Sequence, residues 1–256
     1  PVGFGITPVE YTGLREYFEK LKQGSENIRV IAAFTLGQIG DEKSTENIME
    51  TLEKDPSPTV KLECIKALIK IRDISCVNTL IAALKDANPS VRAAAATALG
   101  TFKDKKSIPA LVEALKDAET DVRVNAIDSL AEMKAKDALN NIISALNDNE
   151  AQVRRHTVGA LGIIGEESSI KHLINSLNDR DAITKMMTSW ALAEIGNASV
   201  EPLIKVIETS KEEDRLFAIE TLIQLKSDKA IPVLEKLVNQ GEDWIKNVAR
   251  LAIQKI

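Results

Sequence analysis

The chain has 256 residues, and what it lacks narrows its class before any motif is read. It holds two cysteines, Cys64 and Cys76, far too few for a disulfide framework. A reducing compartment, the cytoplasm, is therefore expected. The two cysteines also lack the close C-x-x-C spacing of a zinc or redox site. Aromatic residues make up only 4%, so any core must be built from small aliphatic side chains. Positive charge is not in excess: the net charge is −5, which argues against a partner held chiefly through phosphates. No apolar run approaches the 18 or so residues of a membrane span, and the first residues, PVGFGIT, do not read as a secretion signal.

Catalytic motifs are also thin. There are two histidines, His156 and His172, and no His-Glu pair. No G-x-x-x-x-G-K, G-x-G-x-x-G or G-x-S-x-G occurs. No catalytic, metal or cofactor residue is assigned, and a non-enzymatic chain without a cofactor is expected.

What is present is a repeat. The stretches VRAAAATALG, VRVNAIDSLA and VRRHTVGALG open at Val91, Val122 and Val153, and each reaches a Leu eight residues on. The register extends through Ile28, Val60, Thr184, Asp214 and Ile245, with successive spacings of 32, 31, 31, 31, 31, 30 and 31. A fixed period of this length marks a stacked-repeat architecture, in which each unit contacts mainly its neighbours. One elongated domain over 1–256 is expected, with an irregular segment at 1–7 and the register over 8–256.

Within each unit the anchor opens a first-type helix. Four residues on stand Ala32, Cys64, Ala95, Ala126, Thr157, Thr188, Ala218 and Ala249; eight on stand seven leucines, from Leu36 to Leu222, and Ile253. Position seven is small again, as at Ala98 and Ser129. These positions share one helical face, so small columns beside a Leu column let neighbouring helices approach closely. After a short turn, read at Gly37–Asp41 and Gly162–Glu166, a second-type helix shows the i, i+3, i+4, i+7 stripe Ile108, Leu111, Val112, Leu115. Pro109, Pro202 and Pro232 fall near the starts of such helices, where a missing N–H costs little. The chain opens on a second-type helix and closes on a first-type one, eight of each. The half-units at the ends read as caps or as edges of something longer.

These residues, D-x4-[VI]-[RK]-x2-A-x3-L-G followed by a short second helix, resemble the HEAT-repeat family in its short, phycobilisome-lyase-like variety. The resemblance runs over about 8–256. It implies an all-α fold, a right-handed α-solenoid or superhelix of about eight stacked two-helix repeats, with the second-type helices lining the concave side. The family includes scaffolds, adaptors, chromophore lyases and a few enzymes. It thus implies a protein-interaction scaffold or adaptor holding a protein or peptide partner on its concave surface. The alternative is a lyase or chaperone-like subunit acting on a tetrapyrrole-bearing protein. Nucleic-acid binding would need a basic stripe.

Three groups of residues are singled out. The first is a structural ladder. A basic residue follows each anchor, among them Arg92, Arg123 and Arg154, and an Asp stands five before it at Asp55, Asp86, Asp117, Asp148 and Asp179. Each Asp is expected to bond amides or the basic column where units meet, and losing Asp117 to cost about 1 kcal/mol, as for a lost cap. The column fails at Gln23, Thr209 and Gln240. The second group is a partner-binding surface on the outward side of the second-type helices. It is acidic early, at Glu16, Glu19, Glu46, Glu50 and Glu53, which suits a basic segment of the partner. It is amide-rich later, at Asn140, Asn141, Ser144, His172, Asn175 and Asn178, and amides both donate and accept. The third group is an alternative docking patch of Met186, Met187, Trp190, Leu216 and Phe217 on first-type helices.

Overall fold

A computed structural model describes residues 8–210, 212–241 and 243–256; the irregular segment expected at 1–7 lies outside the described residues. These contain sixteen α-helices and no strand. By contacts the chain divides into two compact units, with the division between Ser129 and Leu130.

In the first unit the second-type helices are α1 (Pro8–Gln23), α3 (Thr45–Lys54), α5 (Val77–Ala83) and α7 (Ile108–Ala114). The first-type helices are α2 (Glu26–Ile39), α4 (Pro58–Ile71), α6 (Pro89–Phe102) and α8 (Thr120–Glu132), the last running past the division. Helix α1 pairs with α2, α3 with α4 and α5 with α6, while α2 packs on α4 and α4 on α6. The second unit repeats the scheme. Its second-type helices are α9 (Leu139–Ser144), α11 (Ile170–Ser176), α13 (Val200–Thr209) and α15 (Ile231–Gln240). Its first-type helices are α10 (Ala151–Ile164), α12 (Ala182–Ile195), α14 (Glu212–Leu225) and α16 (Asp243–Lys255). Seven of the eight second-type helices are entered through a single 3₁₀ turn, as at Lys105–Ser107 before α7. Tighter winding there uses the orphan amides of the helix start.

The small columns explain the stacking. Every residue four after an anchor, from Ala32 to Ala249, is fully buried, and the leucines at position eight are too. The anchors Val60, Val91, Val122 and Val153 are buried as well, whereas Ile28 is exposed. First-type helices begin at a cap two or three residues before the anchor. Ser57, Asn88 and Asp181 accept backbone N–H bonds there, and Pro58 and Pro89 occupy the first turn.

Two expectations are corrected. Gly37 and Gly162, assigned above to turns, lie inside α2 and α10; the turns begin at Gly40 and Gly165, which have φ of 70° and 73°. A left-handed residue at the end of a helix satisfies its last carbonyls, and glycine adopts that conformation without strain. The internal glycines are there for packing. A Cβ on Gly100, which holds the same position as Gly37 and Gly162 in its own unit, would lie 2.5 Å from Ser129 Oγ and 2.9 Å from Ser129 Cα. Helix α8 therefore seats directly on α6, where Ser129 Oγ donates to the Ala96 carbonyl at 2.8 Å. The second correction concerns α7, which stops at Ala114, before the last residue of its stripe, Leu115, and before Asp117. This shortness leaves a carboxylate free to serve the next junction.

Candidate partner-binding groove

The carboxylates between repeats act one step farther along the chain than a helix cap would. Arg92 donates from Nε and Nη2 to the two Asp117 carboxylate oxygens, each at 2.8 Å, and from Nη1 to the Asp86 carbonyl at 2.9 Å. Asp117 in turn accepts from the Glu119 amide at 2.9 Å. One arginine thus ties the turn before its own helix to the carboxylate of the following turn. The same rung recurs as Arg29 with Asp55 and, in the second unit, as Arg154 with Asp179. Lys61 makes a simpler rung to Asp86 at 2.6 Å. Arg123 donates to the Asp117 and Ala118 carbonyls, and Asp148 accepts from the Glu150 amide. The guanidinium of Arg92 holds the Asp117 carboxyl below the usual carboxylate range, and Lys61 and Arg154 do the same for Asp86 and Asp179 against the opposing effect of burial. Arg155 adds a second rivet in this unit. It meets Asp181 at 2.8 and 2.6 Å, and Asp181 also caps α12 through Thr184. The basic column is therefore largely occupied by protein carboxylates and carbonyls.

The acidic group on α1 and α3 is largely paired locally. Glu16 meets Lys20 at 2.6 Å, and Glu50 meets Lys54 at 2.9 Å and Lys22 at 3.8 Å. Glu19 accepts from Gln23, and Glu53 accepts from Thr79. Glu46 is exposed. Interleaved lysines lower the negative potential that a count of glutamates suggests.

In the second unit the second-type helices frame two cavities. One, of about 390 Å³, lies between α9 and α11 and is lined by Ser144, Asn147, His172, Asn175, Asn178 and Asp179 among others. The other, of about 590 Å³, lies between α11 and α13 and shares Asn175 and Asn178 with the first. Its walls include Ile170, Ile174, Leu177 and Val206, and its rim includes Lys171, Lys205 and Thr209. Both fall in the size range of ligand-binding clefts. Of the amide-rich group, Ser144, His172, Asn175 and Asn178 line these cavities, while Asn140 and Asn141 are exposed on α9 and line neither. The Ser144 hydroxyl donates to the Asn140 carbonyl of its own helix, so what it has left to offer a ligand is its acceptor lone pairs.

Asp214 closes the larger cavity and was not singled out as a site residue above. It occupies an anchor position that is aliphatic or Thr in every other unit, and this was the available signal. Its exposure is only 8%. The side-chain nitrogen of Asn178 donates to both its oxygens at 2.7 Å.

The Met/Trp group divides. Met186, Trp190 and Leu216 are exposed at 38, 51 and 41%, while Met187 and Phe217 are half-buried. Ile183, also exposed, completes an i, i+3, i+7 stripe with Met186 and Trp190 on α12. Among the described residues no group of His, Cys, Asp and Glu is placed to hold a metal ion, and no helix is long and apolar enough to cross a membrane.

Paired helices repeating at a fixed register, with small buried columns between them, define the helical-repeat class of α-solenoids. Within it, the model for HEAT repeats matches residues 14–77, 48–123, 108–188 and 170–254, and the chain belongs to the HEAT-repeat family. A search of the curated proteins by sequence finds no match. Among solved structures, the complex of CpcE and CpcF of phycocyanin lyase from Nostoc sp. PCC7120 is similar at 21% identity and a TM-score of 0.53, covering 92% of this chain and 96% of that one. An engineered protein is similar at 17% identity and a TM-score of 0.51, covering 96% and 79%. Kap95p, solved bound to RanGDP, is similar at 17% identity and a TM-score of 0.72, covering 99% of this chain and 40% of that one. At these identities the likeness is one of fold.

Proposed function

We propose that the protein is a non-enzymatic interaction scaffold that holds a segment of a protein partner along α9, α11 and α13. The observation that carries this reading is the pair of adjoining cavities sharing Asn175 and Asn178, with apolar walls and amides at the edge. Such a surface takes apolar side chains while hydrogen-bonding a peptide backbone without demanding charge. Family membership supports a binding role, and the Kap95p likeness is to a protein solved with a protein bound. The single domain over 1–256 remains part of this proposal. The paired glutamates of α1 and α3 would contribute less, mainly to encounter rate and in a salt-dependent way. Once a partner is identified, His172→Ala with Asn175→Ala, both on the cavity walls, should mainly speed its release, and Glu46→Lys with Glu50→Lys should slow association. A partner that binds both double variants like the parent overturns the reading. The lyase likeness offers a second reading, a subunit acting on a tetrapyrrole-bearing protein. A visible absorption band on the protein purified from its source would favour it.

A further inference from the structure

We propose that the buried carboxylate of Asp214 receives a single Lys or Arg side chain from the bound partner, inserted into the cavity between α11 and α13. This rests on the scaffold reading and sharpens it to a residue class.

Asp214 stands where valines pack in four other units, so its carboxylate is carried into an apolar column, and the residue as a whole is only 8% exposed. A carboxylate removed from water is costly unless a cation or several donors meet it. The inter-repeat carboxylates show how this chain meets that need: Asp55, Asp86, Asp117 and Asp179 each face a cation at 2.6–2.8 Å. Among the described residues Asp214 instead meets the neutral amide of Asn178. One amide nitrogen bridging two oxygens leaves much of a carboxylate's acceptor capacity unfilled. That capacity opens on a cavity rather than on packed side chains, since Asp214 lines it.

The cavity suits the stem of a long cation as well as its head. Ile174, Leu177 and Val206 line it, and a Lys or Arg side chain covers such surface with its methylenes while its charge reaches a polar end. Lys171 and Lys205 on the rim, both exposed, outnumber the one exposed carboxylate there, Glu167. They oppose a run of basic residues, so the occupant is one basic residue in neutral or acidic surroundings. This differs from the polybasic segment that a row of glutamates suggests.

The test uses n-butylguanidinium as a probe for the side chain, followed by amide resonances of the isotopically labelled full chain. A saturable, millimolar shift of the Asn178 side-chain NH₂ resonances is expected, with n-butanol and butyrate far weaker. Asp214→Asn keeps the shape and should weaken binding at least tenfold, a change of about 1.4 kcal/mol. Thr209→Arg, on the exposed rim, should bring a guanidinium to Asp214 from within the chain. It is expected to raise the melting temperature and abolish probe binding, so the idea stays testable even if Asp214→Asn folds poorly. Equal binding by Asp214→Asn, preference for butyrate, or no saturable shift at Asn178 would each overturn the inference. If a partner still crosslinks to the α11 face while the probe fails, the cation site alone is wrong and the scaffold reading stands.

Discussion

Replacing Asp117 by Ala probes the junction between repeats at its strongest point. The change removes two guanidinium bonds of 2.8 Å and one amide bond of 2.9 Å. The paired side chains are only 16% and 13% exposed, so solvent screens them little. A lost turn bond alone is worth about 1 kcal/mol, and orphaning a well-buried ionic partner costs about 3–5 kcal/mol. Arg92 keeps its bond to the Asp86 carbonyl and can recruit some water, so a loss of about 2–3 kcal/mol is expected. That exceeds the value expected from the sequence, because the rung reaches 25 residues forward to a neighbouring repeat. Asp86→Ala orphans a flexible ammonium and should cost less, about 1–2 kcal/mol. Glu113→Ala, whose partner Lys116 is solvated, should cost no more than about 0.5 kcal/mol. Urea unfolding at neutral pH, with midpoint and slope compared across the three variants, gives these values. Should Asp117→Ala match Glu113→Ala, the rung is ornamental and the reasoning fails.

The remaining expectations are simpler. Gly100→Ala should destabilise by about 1–3 kcal/mol, because the new methyl meets Ser129 at 2.5–2.9 Å, while Gly159→Ala, facing only Met187 at 3.6 Å, should stabilise by about 0.5–1 kcal/mol in thermal unfolding. Cys64 and Cys76 are fully buried, and burial pushes the Cys76 thiol up to about 12 and the Cys64 thiol higher still. Neither should react with a thiol reagent at pH 8 faster than the protein opens. Asp86, Asp117 and Asp179 have folded-state pKa values below the ordinary carboxylate value. Their contribution is therefore complete above about pH 4 and lost as pH falls through the lowered values, and Asp117→Asn should flatten the stability decline in that acid window.

The fold was legible because its information is periodic. Eight small residues at position four and eight aliphatic ones at position eight cannot recur at this spacing unless the helices stack through them, and all but Ile253 and Thr35 in the small and aliphatic columns are buried. What a period hides is direction. The ladder's residue types were visible, but not that Arg92 reaches Asp117 rather than the carboxylate of Asp86, because a repeat looks alike from either neighbour. Gly37 and Gly162 read as turns in sequence because a glycine near a helix end has two uses, and only a contact with Ala67 or Ala191 tells packing from chain reversal. Counting glutamates overstates the acidic surface because Glu16 and Glu50 have lysine partners four residues on in the same helix. Asp214 illustrates the opposite case. Its place in the register was known, yet its meaning depends on the cavity beside it.

The scaffold reading is tested most directly by photo-crosslinking from single positions in the full chain, with a benzoylphenylalanine placed at Asn175, Trp190 or Glu113 in turn. The groove between α11 and α13 as the binding surface predicts one partner crosslinked from Asn175 and absent from Glu113. A partner crosslinked from Trp190 and not from Asn175 would contradict it and move binding to the exposed Ile183, Met186 and Trp190 stripe of α12.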